Sequence, residues 1–321
     1  MDVAALLGTP ALAGDLERIE SALKAATTSM DPFLSEVAGH LVSAGGKRIR
    51  PALTAAAALA GGAAVTDDVV QGGISVELVH IGSLYHDDVM DEADSRRGVQ
   101  SVNARWGNLT AILAGDFLLA KASEIAASLG TEVAGLLAAT IGRLCEGQVG
   151  ELRTAFNVGR TEAEYLDSIA GKTASLTSAA CRIGGIVAGL PRPQIDALSE
   201  FGEAFGMVFQ IRDDCLDVTA TDEELGKPAG QDLVEGTYSL PVIRALAMPG
   251  VGDELRPLLG HPLDPLEMDK ARAVIRNSPA VESSLATARE HADRAVAALA
   301  PLGESPVAQV LAQAGHTLLD H

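Results

Sequence analysis

Residues 74–91, ISVELVHIGSLYHDDVMD, join an apolar helical pattern to three carboxylates within five positions. The apolar part of this stretch indicates a buried helix, yet Asp87, Asp88 and Asp91 lie in its continuation. Residues i and i+4 share one face of an α-helix, roughly 6 Å apart along its axis. Asp87 and Asp91 therefore either repel each other on a solvated face or are held together by a cation.

The same DDxxD spacing occurs a second time, in FQIRDDCLDV at residues 209–218, with Asp213, Asp214 and Asp217. One such copy is most often an ordinary acidic helix face, but two copies in apolar helical surroundings favour a common task. Carboxylate oxygens without a His or Cys cluster suit a hard ion such as Mg²⁺, which also binds substrate phosphates. We predict two helices that face each other across a cavity, with metal ions between them.

The composition predicts a large helical protein. The chain has 321 residues, of which 47% are hydrophobic, and no proline occurs between Pro51 and Pro191. Within that interval Ala, Leu, Glu and Arg dominate, with apolar residues at three-to-four spacing, which is typical of successive helices. No charge block or low-complexity linker divides the chain. We therefore predict an all-α fold, a single large helical bundle, as one domain over residues 1–321.

The charge distribution limits the possible partners. The chain has 43 acidic and 24 basic residues, a formal charge of −19, and only 3% aromatic residues. These features argue against nucleic-acid binding, since polyanions are repelled and stacking side chains are scarce. No apolar run reaches about 18 residues, so no membrane-spanning helix is predicted. The three cysteines are isolated from one another, which favours a reduced, cytoplasmic setting over a zinc or disulfide framework.

An anionic substrate would need a local basic pocket, and four short motifs could supply one. The motifs are GGKRIRP at residues 45–51, RRG at 96–98, GKT at 171–173 and GKPAGQDL at 226–233. In the first, Lys47, Arg48 and Arg50 stand at a loop-to-helix junction, where backbone amides favour a phosphate. Lys172 and Lys227 are the cations of the last two. Each motif alone is also explained as a solvated helix start, a charge balance, a helix N-cap or a surface turn.

The ordered series of motifs resembles one known family. It comprises GGKRIRP, HIGSLYHDDVMD with RRG, LAGDFLLAKA, EGQVGEL, GKTASL, FQIRDDCLDV and GKPAGQDLVEG with SLP, within residues 40–245. In this order the motifs resemble the trans-isoprenyl diphosphate synthases, also called the polyprenyl synthetase family. The resemblance implies an all-α bundle around a deep central cavity, usually a homodimer. It also implies head-to-tail condensation of isopentenyl diphosphate with an allylic diphosphate.

The resemblance implies a role for each motif residue. Three Mg²⁺ ions per site would be held on the allylic diphosphate by Asp87, Asp88, Asp91, Asp213, Asp214 and Asp217. The allylic substrate would be contacted by Arg96, Lys172, Thr173, Gln210 and Lys227. Isopentenyl diphosphate would be held by Lys47, Arg50, His80 and Arg97, with Gly46 shaping the loop. The residues expected to carry catalysis are Asp87, Asp88, Asp91, Arg96, Lys172 and Lys227. Taken alone, a histidine such as His80 is more often a core residue than a ligand. Gln210 alone is equally weak evidence for a binding role.

Product length is inferred from the positions just before Asp87. Relatives with short products often carry an aromatic residue four or five positions before the first motif, whereas this chain has Ser83 and Gly82. These small residues lie about one helical turn deeper and would lower the tunnel floor, giving a product on the order of C30 to C50. Such an all-trans chain would suit a quinone side-chain precursor. Gly82→Phe is then expected to shorten it.

Several alternatives stay open. A geranylgeranyl diphosphate synthase would have its tunnel floor set by other residues. A regulatory subunit of a two-chain prenyl synthase would usually lack the aspartate motifs, and a terpene cyclase typically lacks GGKRIRP and a second DDxxD. Thr237 departs from the lysine that many relatives have there, which removes a cation from the allylic side. At most, transient membrane contact is expected, for release of a long apolar product.

Overall fold

The computed structural model describes residue 7 and residues 10–225 and 228–320, and helices dominate these ranges. The first helices are α1 (Pro10–Ala26), α2 (Pro32–Ala38), α3 (His40–Ser43), α4 (Ile49–Ala60), α5 (Asp67–Met90), α6 (Val102–Trp106), α7 (Asn108–Ser128) and α8 (Thr131–Arg153). The later helices are α9 (Glu162–Ile169), α10 (Ser175–Val187), α11 (Arg192–Thr219), α12 (Asp222–Leu225), α13 (Gln231–Val234), α14 (Leu240–Ala247), α15 (Val251–Leu255), α16 (Pro265–Arg276), α17 (Ala280–Ala298) and α18 (Pro306–Asp320). A π-helical turn spans Ala170–Ala174, and 3₁₀ turns span Arg256–Leu258 and Ala300–Leu302. The predicted all-α fold is confirmed.

The described residues form two compact units. Unit 1 comprises those of Met1–Ile141, Leu176–Gly202 and Val296–Ala314. Unit 2 comprises those of Gly142–Ser175, Glu203–Ala295 and Gly315–His321. Five helices, α8, α10, α11, α17 and α18, contribute residues to both units, so neither is a continuous stretch of sequence. A single domain over the whole chain stays a prediction.

α5 is the central helix of unit 1. It packs against α1, α4 and α7, and residues 72–79 are buried without interruption. A helix that is buried on every side lies within a bundle rather than on its surface. The helix begins at Thr66, whose side chain accepts a hydrogen bond from the Val69 backbone N–H at 3.4 Å. Near its end the buried Tyr85 hydroxyl donates to the Val37 carbonyl at 2.7 Å, which ties α5 to α2.

A short hairpin follows α5 and carries two arginines. Strands β1 (Ser95–Arg96) and β2 (Val99–Gln100) are antiparallel, with Arg96 opposite Val99. The connecting residues Arg97 and Gly98 have φ of 55° and 75°, and two positive φ values in succession define the type I′ turn of tight hairpins. A non-glycine residue rarely adopts this conformation, so interactions elsewhere must hold Arg97 in place.

The core of unit 2 forms around the second half of α11. Ile211, Cys215 and Val218, at three-to-four spacing on that helix, are buried together with residues of α9, α14 and α16. Cys215 lies inside the second aspartate motif and packs in this core. Among the described helices, none is both long and apolar enough to cross a membrane.

Gly82 lies where α5 meets α7. A Cβ at this position would stand 3.1 Å from the carbonyl oxygen of Gly115 and 3.4 Å from Leu119 Cγ. The missing side chain therefore allows the two helices to approach closely. A role for Gly82 in setting the tunnel floor remains a prediction, and a phenylalanine there would first have to displace α7.

Gly82→Phe is expected to destabilise the protein by about 1–3 kcal/mol, the usual cost of overpacking a filled core. The free energy of unfolding would be measured by urea denaturation followed by circular dichroism. Ser83→Ala is the matched control, because Ser83 is half-buried and loses only its 2.9 Å hydrogen bond to the His80 carbonyl. If Gly82→Phe unfolds at the same urea concentration as the control, the close helix approach is not needed for stability.

Candidate functional site

The GGKRIRP loop forms the predicted junction between a loop and a helix. α4 begins at Ile49, and its N-cap Arg48 has a left-handed backbone, with φ of 49°. A Cβ at Gly46 would lie 2.9 Å from Arg48 Nη1 and 3.0 Å from Arg97 Nη1. Any side chain at position 46 would therefore push both guanidiniums away from the loop backbone.

Arg48 is buried and joins three segments of unit 1. Its Nε donates to Glu20 on α1 at 2.8 Å, its Nη1 to Glu77 on α5 at 3.3 Å, and its Nη2 to the Val42 carbonyl at 2.9 Å. Burial opposes the charge of Arg48, but the two carboxylates outweigh burial and raise its pKa. Each guanidinium nitrogen is engaged within the protein, so Arg48 holds the loop in place.

Arg97 holds the same loop from the hairpin. Its Nη1 donates to the Gly45 carbonyl at 2.6 Å and to the Leu41 carbonyl at 3.0 Å. These bonds account for the left-handed backbone of Arg97, because they fix its side chain on the loop. Burial lowers the pKa of Arg97, and the nearby Glu77 carboxylate opposes that shift.

Arg50 lies on the first turn of α4, close enough to Glu77 for their charges to interact. Its Nε is buried and has no hydrogen-bond partner. Burial lowers the pKa of Arg50, again opposed by Glu77. We call Arg48, Arg50, Arg97, His80 and Glu77 the basic cluster. Lys47, between Gly46 and Arg48, is exposed.

His80 lies on α5, three residues after Glu77. Burial, followed by the charges of the surrounding arginines, holds the pKa of His80 well below its ordinary value. The imidazole is therefore neutral at pH 7. A neutral imidazole can donate one hydrogen bond to an anion without adding charge to the cluster.

The first aspartate motif closes α5. Asp91 is the C-cap, and its N–H donates to the Asp87 carbonyl at 2.8 Å, which confirms the expected i, i+4 relation. Asp88 is fully buried. Arg96 donates to its Oδ1 from Nε at 2.6 Å, and Arg96 Nη2 forms an ion pair with the same oxygen at 2.6 Å. Burial raises the pKa of Asp88, and Arg96 opposes that shift. The structure thus brings together Asp88 and Arg96, two of the residues predicted from the motifs.

The first motif has the chemistry expected of a magnesium ligand set. Its donors are carboxylate oxygens, and Asp88 Oδ2 is buried with no hydrogen-bond partner. A hard cation would satisfy such an atom, and Mg²⁺ is usually held by one or two carboxylates together with waters and substrate phosphates. Within residues 10–225 and 228–320, no three His, Cys, Asp or Glu side chains form a ready-made cation site.

The second aspartate motif is part of a hydrogen-bonded chain within unit 2. Thr173 Oγ1 donates to Gln210 Oε1 at 2.7 Å, and Gln210 Nε2 donates to Asp214 Oδ1 at 2.7 Å. The Tyr165 hydroxyl donates to Asp214 Oδ2 at 2.5 Å. Burial raises the pKa of Asp214, and both hydrogen bonds oppose that shift. Thr173, Gln210 and Asp214, all predicted from the sequence, are therefore in contact, and Tyr165 joins them.

The other two acids of this motif lie on the same helix, α11. Asp213 is half-buried, whereas Asp217 is buried. Asp217 Oδ2 accepts the backbone N–H of Asp232 at 3.3 Å, which links α11 to the GKPAGQDL segment. Lys227 of that segment lies outside the described residues.

Lys172 lies in the π-helical turn between α9 and α10. Its Nζ donates to Glu151 Oε1 at 2.5 Å, so GKT is not a simple helix N-cap. Single π turns inside helices often occur at functional sites. Thr237, at the position where a lysine was expected, is half-buried and donates its N–H to the Asp232 carbonyl at 2.8 Å.

Four residues of these sites were missed in the sequence, namely Glu20, Glu77, Glu151 and Tyr165. An acid inside an apolar helix was the available signal for Glu77 and Glu151, because buried carboxylates nearly always have a partner. No pattern identifies Glu20 or Tyr165, whose partners are 28 and 49 positions away along the chain.

An all-helical chain with two aspartate motifs and a cluster of buried arginines has the features of an enzyme that binds diphosphates. The polyprenyl synthetase family model matches residues 31–275. The nonaprenyl diphosphate synthase of Mycobacterium tuberculosis is 39% identical over 305 residues, which are 94% of this chain and 91% of that protein. The chain belongs to the polyprenyl synthetase family and is a prenyltransferase.

Two further relatives agree with this assignment. The heptaprenyl diphosphate synthase component 2 of Geobacillus stearothermophilus is 39% identical over 286 residues, 89% of each chain. The crystal structure of a decaprenyl diphosphate synthase from Rhodobacter capsulatus superposes with a TM-score of 0.89 at 35% identity, covering 97% of each chain. The isoprenoid synthase fold predicted from the motifs is therefore confirmed.

His80 is expected to stay neutral from pH 8 down to about pH 6, below the ordinary histidine pKa of about 6.5. Its proton NMR signal, assigned by its loss in His80→Gln, should not shift over that interval. Because the folded pKa is depressed, the unfolded chain binds more protons at low pH. The contribution of His80 to the free energy of unfolding is therefore present above about pH 6.5 and is lost as the pH falls. A titration midpoint near 6.5 would contradict the burial of this imidazole among arginines.

Proposed function

We propose that this chain is an all-trans polyprenyl diphosphate synthase with a long product. It joins isopentenyl diphosphate to an allylic diphosphate and repeats the condensation on its own product. The observation that carries the proposal is the composition of α5. This helix bears Glu77 and His80 of the basic cluster, and it ends in the carboxylates of the first aspartate motif. One rigid helix would thus help to bind the diphosphate of isopentenyl diphosphate and would also hold the Mg²⁺ ions that accompany the allylic diphosphate.

The first chemical event is cleavage of the allylic C–O bond. Both bonding electrons leave with the diphosphate, so negative charge grows on the leaving group while an allylic cation forms. Bound Mg²⁺, held by Asp87, Asp88, Asp91 and Asp213 with Asp214 and Asp217 in support, would stabilise the charge of that leaving group. Arg96 and Lys172 contribute fixed positive charges to the same task, with Lys227 as the third predicted cation.

The second event is carbon–carbon bond formation. The terminal double bond of isopentenyl diphosphate supplies the electron pair for the new bond, which leaves a tertiary cation. Loss of one proton from the adjacent carbon restores a double bond and makes the product allylic again. The released diphosphate can accept that proton, so no protein base is required. Lys47, Arg50, His80 and Arg97 hold the second substrate by its diphosphate.

The chain Thr173–Gln210–Asp214–Tyr165 supports the allylic side. Gln210 accepts from one neighbour and donates to the next, so its orientation is fixed in both directions. Fixed donors and acceptors require little rearrangement when the substrate binds. We assign Thr173 and Gln210 to the allylic diphosphate and Tyr165 to the support of Asp214.

A long product is favoured over a geranylgeranyl product by two observations. Relatives named nonaprenyl and heptaprenyl diphosphate synthase match about nine-tenths of the chain. In addition, Ser83 offers no bulky side chain one turn before the first motif, while the space beside Gly82 is taken by α7. The proposed product is on the order of C30 to C50. Its length would be set by a tunnel floor that lies about one helical turn or more below Asp87.

A homodimer is part of the proposal. Leu109, Ile112 and Leu113 on α7 are exposed by 73%, 41% and 57%. They lie at i, i+3 and i+4, so they form one apolar stripe on unit 1. A contiguous exposed apolar stripe marks an interaction surface, and a second copy of the chain is the occupant we propose.

The proposed activity is tested with purified protein, Mg²⁺, labelled isopentenyl diphosphate and farnesyl or geranylgeranyl diphosphate as starter. Products are dephosphorylated and sized by chromatography. A ladder that ends at one long chain is expected, and Asp87→Ala and Asp213→Ala should each lose at least about 100-fold in rate, as when electrostatic stabilisation is removed. A ladder that ends at the C20 product would identify a geranylgeranyl diphosphate synthase. No incorporation with any starter would contradict the activity of the chain alone.

The homodimer is tested by size-exclusion chromatography with light scattering. The expected mass is twice the 33.0 kDa of one chain. Leu113→Asp should give the monomer, because a charge within an apolar contact is costly to desolvate. Leu266→Asp on α16 is the matched control, since Leu266 is also exposed, by 62%, and lies in unit 2 away from α7 in sequence. A mass of 33.0 kDa for the wild-type protein would contradict the homodimer.

A further inference from the structure

Glu77 is a buried acid within a cluster that is proposed to bind an anion. Its side chain is 2% exposed, and it accepts a hydrogen bond from Arg48 at 3.3 Å. Its charge also acts on Arg50 and Arg97. No role was assigned to this residue from the sequence. A carboxylate at this point repels any diphosphate that enters, so its presence needs a physical reason.

One reason is the stability of the empty site. Arg50 and Arg97 are half-buried, and guanidiniums withdrawn from water without a counter-ion are costly. Arg48 already has a second carboxylate in Glu20, which is partly exposed. Glu77 is therefore a buried negative charge that pairs with Arg48 and also acts on the charges of Arg50 and Arg97.

The reaction supplies a second reason. The diphosphate that leaves comes from the allylic partner, while the product keeps the diphosphate that entered with isopentenyl diphosphate. For the next condensation, the product's diphosphate must become the leaving group. It must therefore quit the basic cluster after every round. Tight binding that is equal in all states does not speed such a cycle, and excessive affinity would stall it.

We propose that Glu77 limits the affinity of the basic cluster for a diphosphate, so that each lengthened product is released for the next condensation. This inference rests on the proposed synthase function. Glu77 touches no reacting atom and acts through Arg48, Arg50 and Arg97, so it is a positioning residue. Its negative charge keeps the cations in place when the cluster is empty and weakens their hold when the cluster is filled.

A purely structural role predicts the opposite change in binding. If Glu77 only held Arg48 on the GGKRIRP loop, its loss would disorder the loop and weaken binding of a diphosphate. If it limits affinity, neutralising it leaves the arginines without a shared counter-ion, and a diphosphate then binds more tightly. Removal of one unit charge that acts over about 12 Å is worth about tenfold in affinity, with an effective dielectric near 20.

The test is isothermal titration of the full-length protein with isopentenyl diphosphate, without Mg²⁺ and without an allylic substrate. Glu77→Gln is expected to bind about tenfold more tightly than the wild type. Glu77→Asp keeps the charge but withdraws it by one methylene, so a smaller tightening is expected. Glu20→Gln is the matched control, because it removes the other acid of Arg48 at a more exposed position and should change affinity less than about threefold. Weaker or unchanged binding by Glu77→Gln would overturn the proposal.

A second measurement follows elongation directly. With a short allylic starter, the rate of the later condensations relative to the first should fall in Glu77→Gln, so that short intermediates accumulate. Normal elongation by a variant with tighter binding would also overturn the proposal. Circular dichroism establishes that the variant is folded. If Glu77→Gln does not fold, the affinity of Glu77→Asp for isopentenyl diphosphate decides between the two roles. Weaker binding than that of the wild type contradicts the proposal.

The two proposals fail in different ways. Tighter binding of isopentenyl diphosphate by Glu77→Gln, together with a wild-type protein that incorporates no label with any starter, would leave the affinity role intact and refute the synthase. Active wild-type protein with no gain in affinity for Glu77→Gln would refute the role of Glu77 alone.

Discussion

The ion pairs of Arg48 with Glu20 and Glu77 connect the three segments on which the basic cluster depends. They join α1, the GGKRIRP loop and α5, and Arg97 then binds the same loop through the Gly45 carbonyl. Removing one partner of a buried ion pair typically costs about 3–5 kcal/mol, because the other charge is left without compensation. One guanidinium with two acidic neighbours therefore holds the loop on which Arg97 is also anchored.

The two aspartate motifs share a spacing, but their surroundings differ. In the first, the buried Asp88 is balanced by a full charge. Arg96 donates a hydrogen bond to one oxygen and forms an ion pair with it, while the other oxygen has no hydrogen-bond partner. In the second, both oxygens of the buried Asp214 accept from neutral donors, Tyr165 and Gln210. Asp88 is thus held by one charged side chain, while Asp214 is fixed in orientation by two neutral ones. Equal sequence patterns therefore do not imply equal roles.

Much of the fold could be predicted because helices repeat along the sequence. The apolar period indicated α5, the spacing of the acids placed Asp87 and Asp91 one turn apart, and GGKRIRP marked the start of α4. Contacts between positions far apart in the sequence follow no period. The contacts of Glu20 with Arg48 and of Tyr165 with Asp214 could therefore not be predicted. Gly82 illustrates the same limit, because its small size was evident while its neighbour, the Gly115 carbonyl, was not.

A chain with a formal charge of −19 can attract a diphosphate only where its cations are shielded from the acids around them. Burial favours such a site, because a cation and a nearby anion in a low-dielectric site attract each other with little screening by salt. The same burial makes uncompensated arginines costly, so a counter-ion must be buried with them. Any such counter-ion reduces the affinity for the substrate. An enzyme that elongates its own product requires that reduction, because the product carries the same diphosphate as the substrate it was made from. The stability of the empty site and repeated turnover therefore both call for an acid at the position of Glu77.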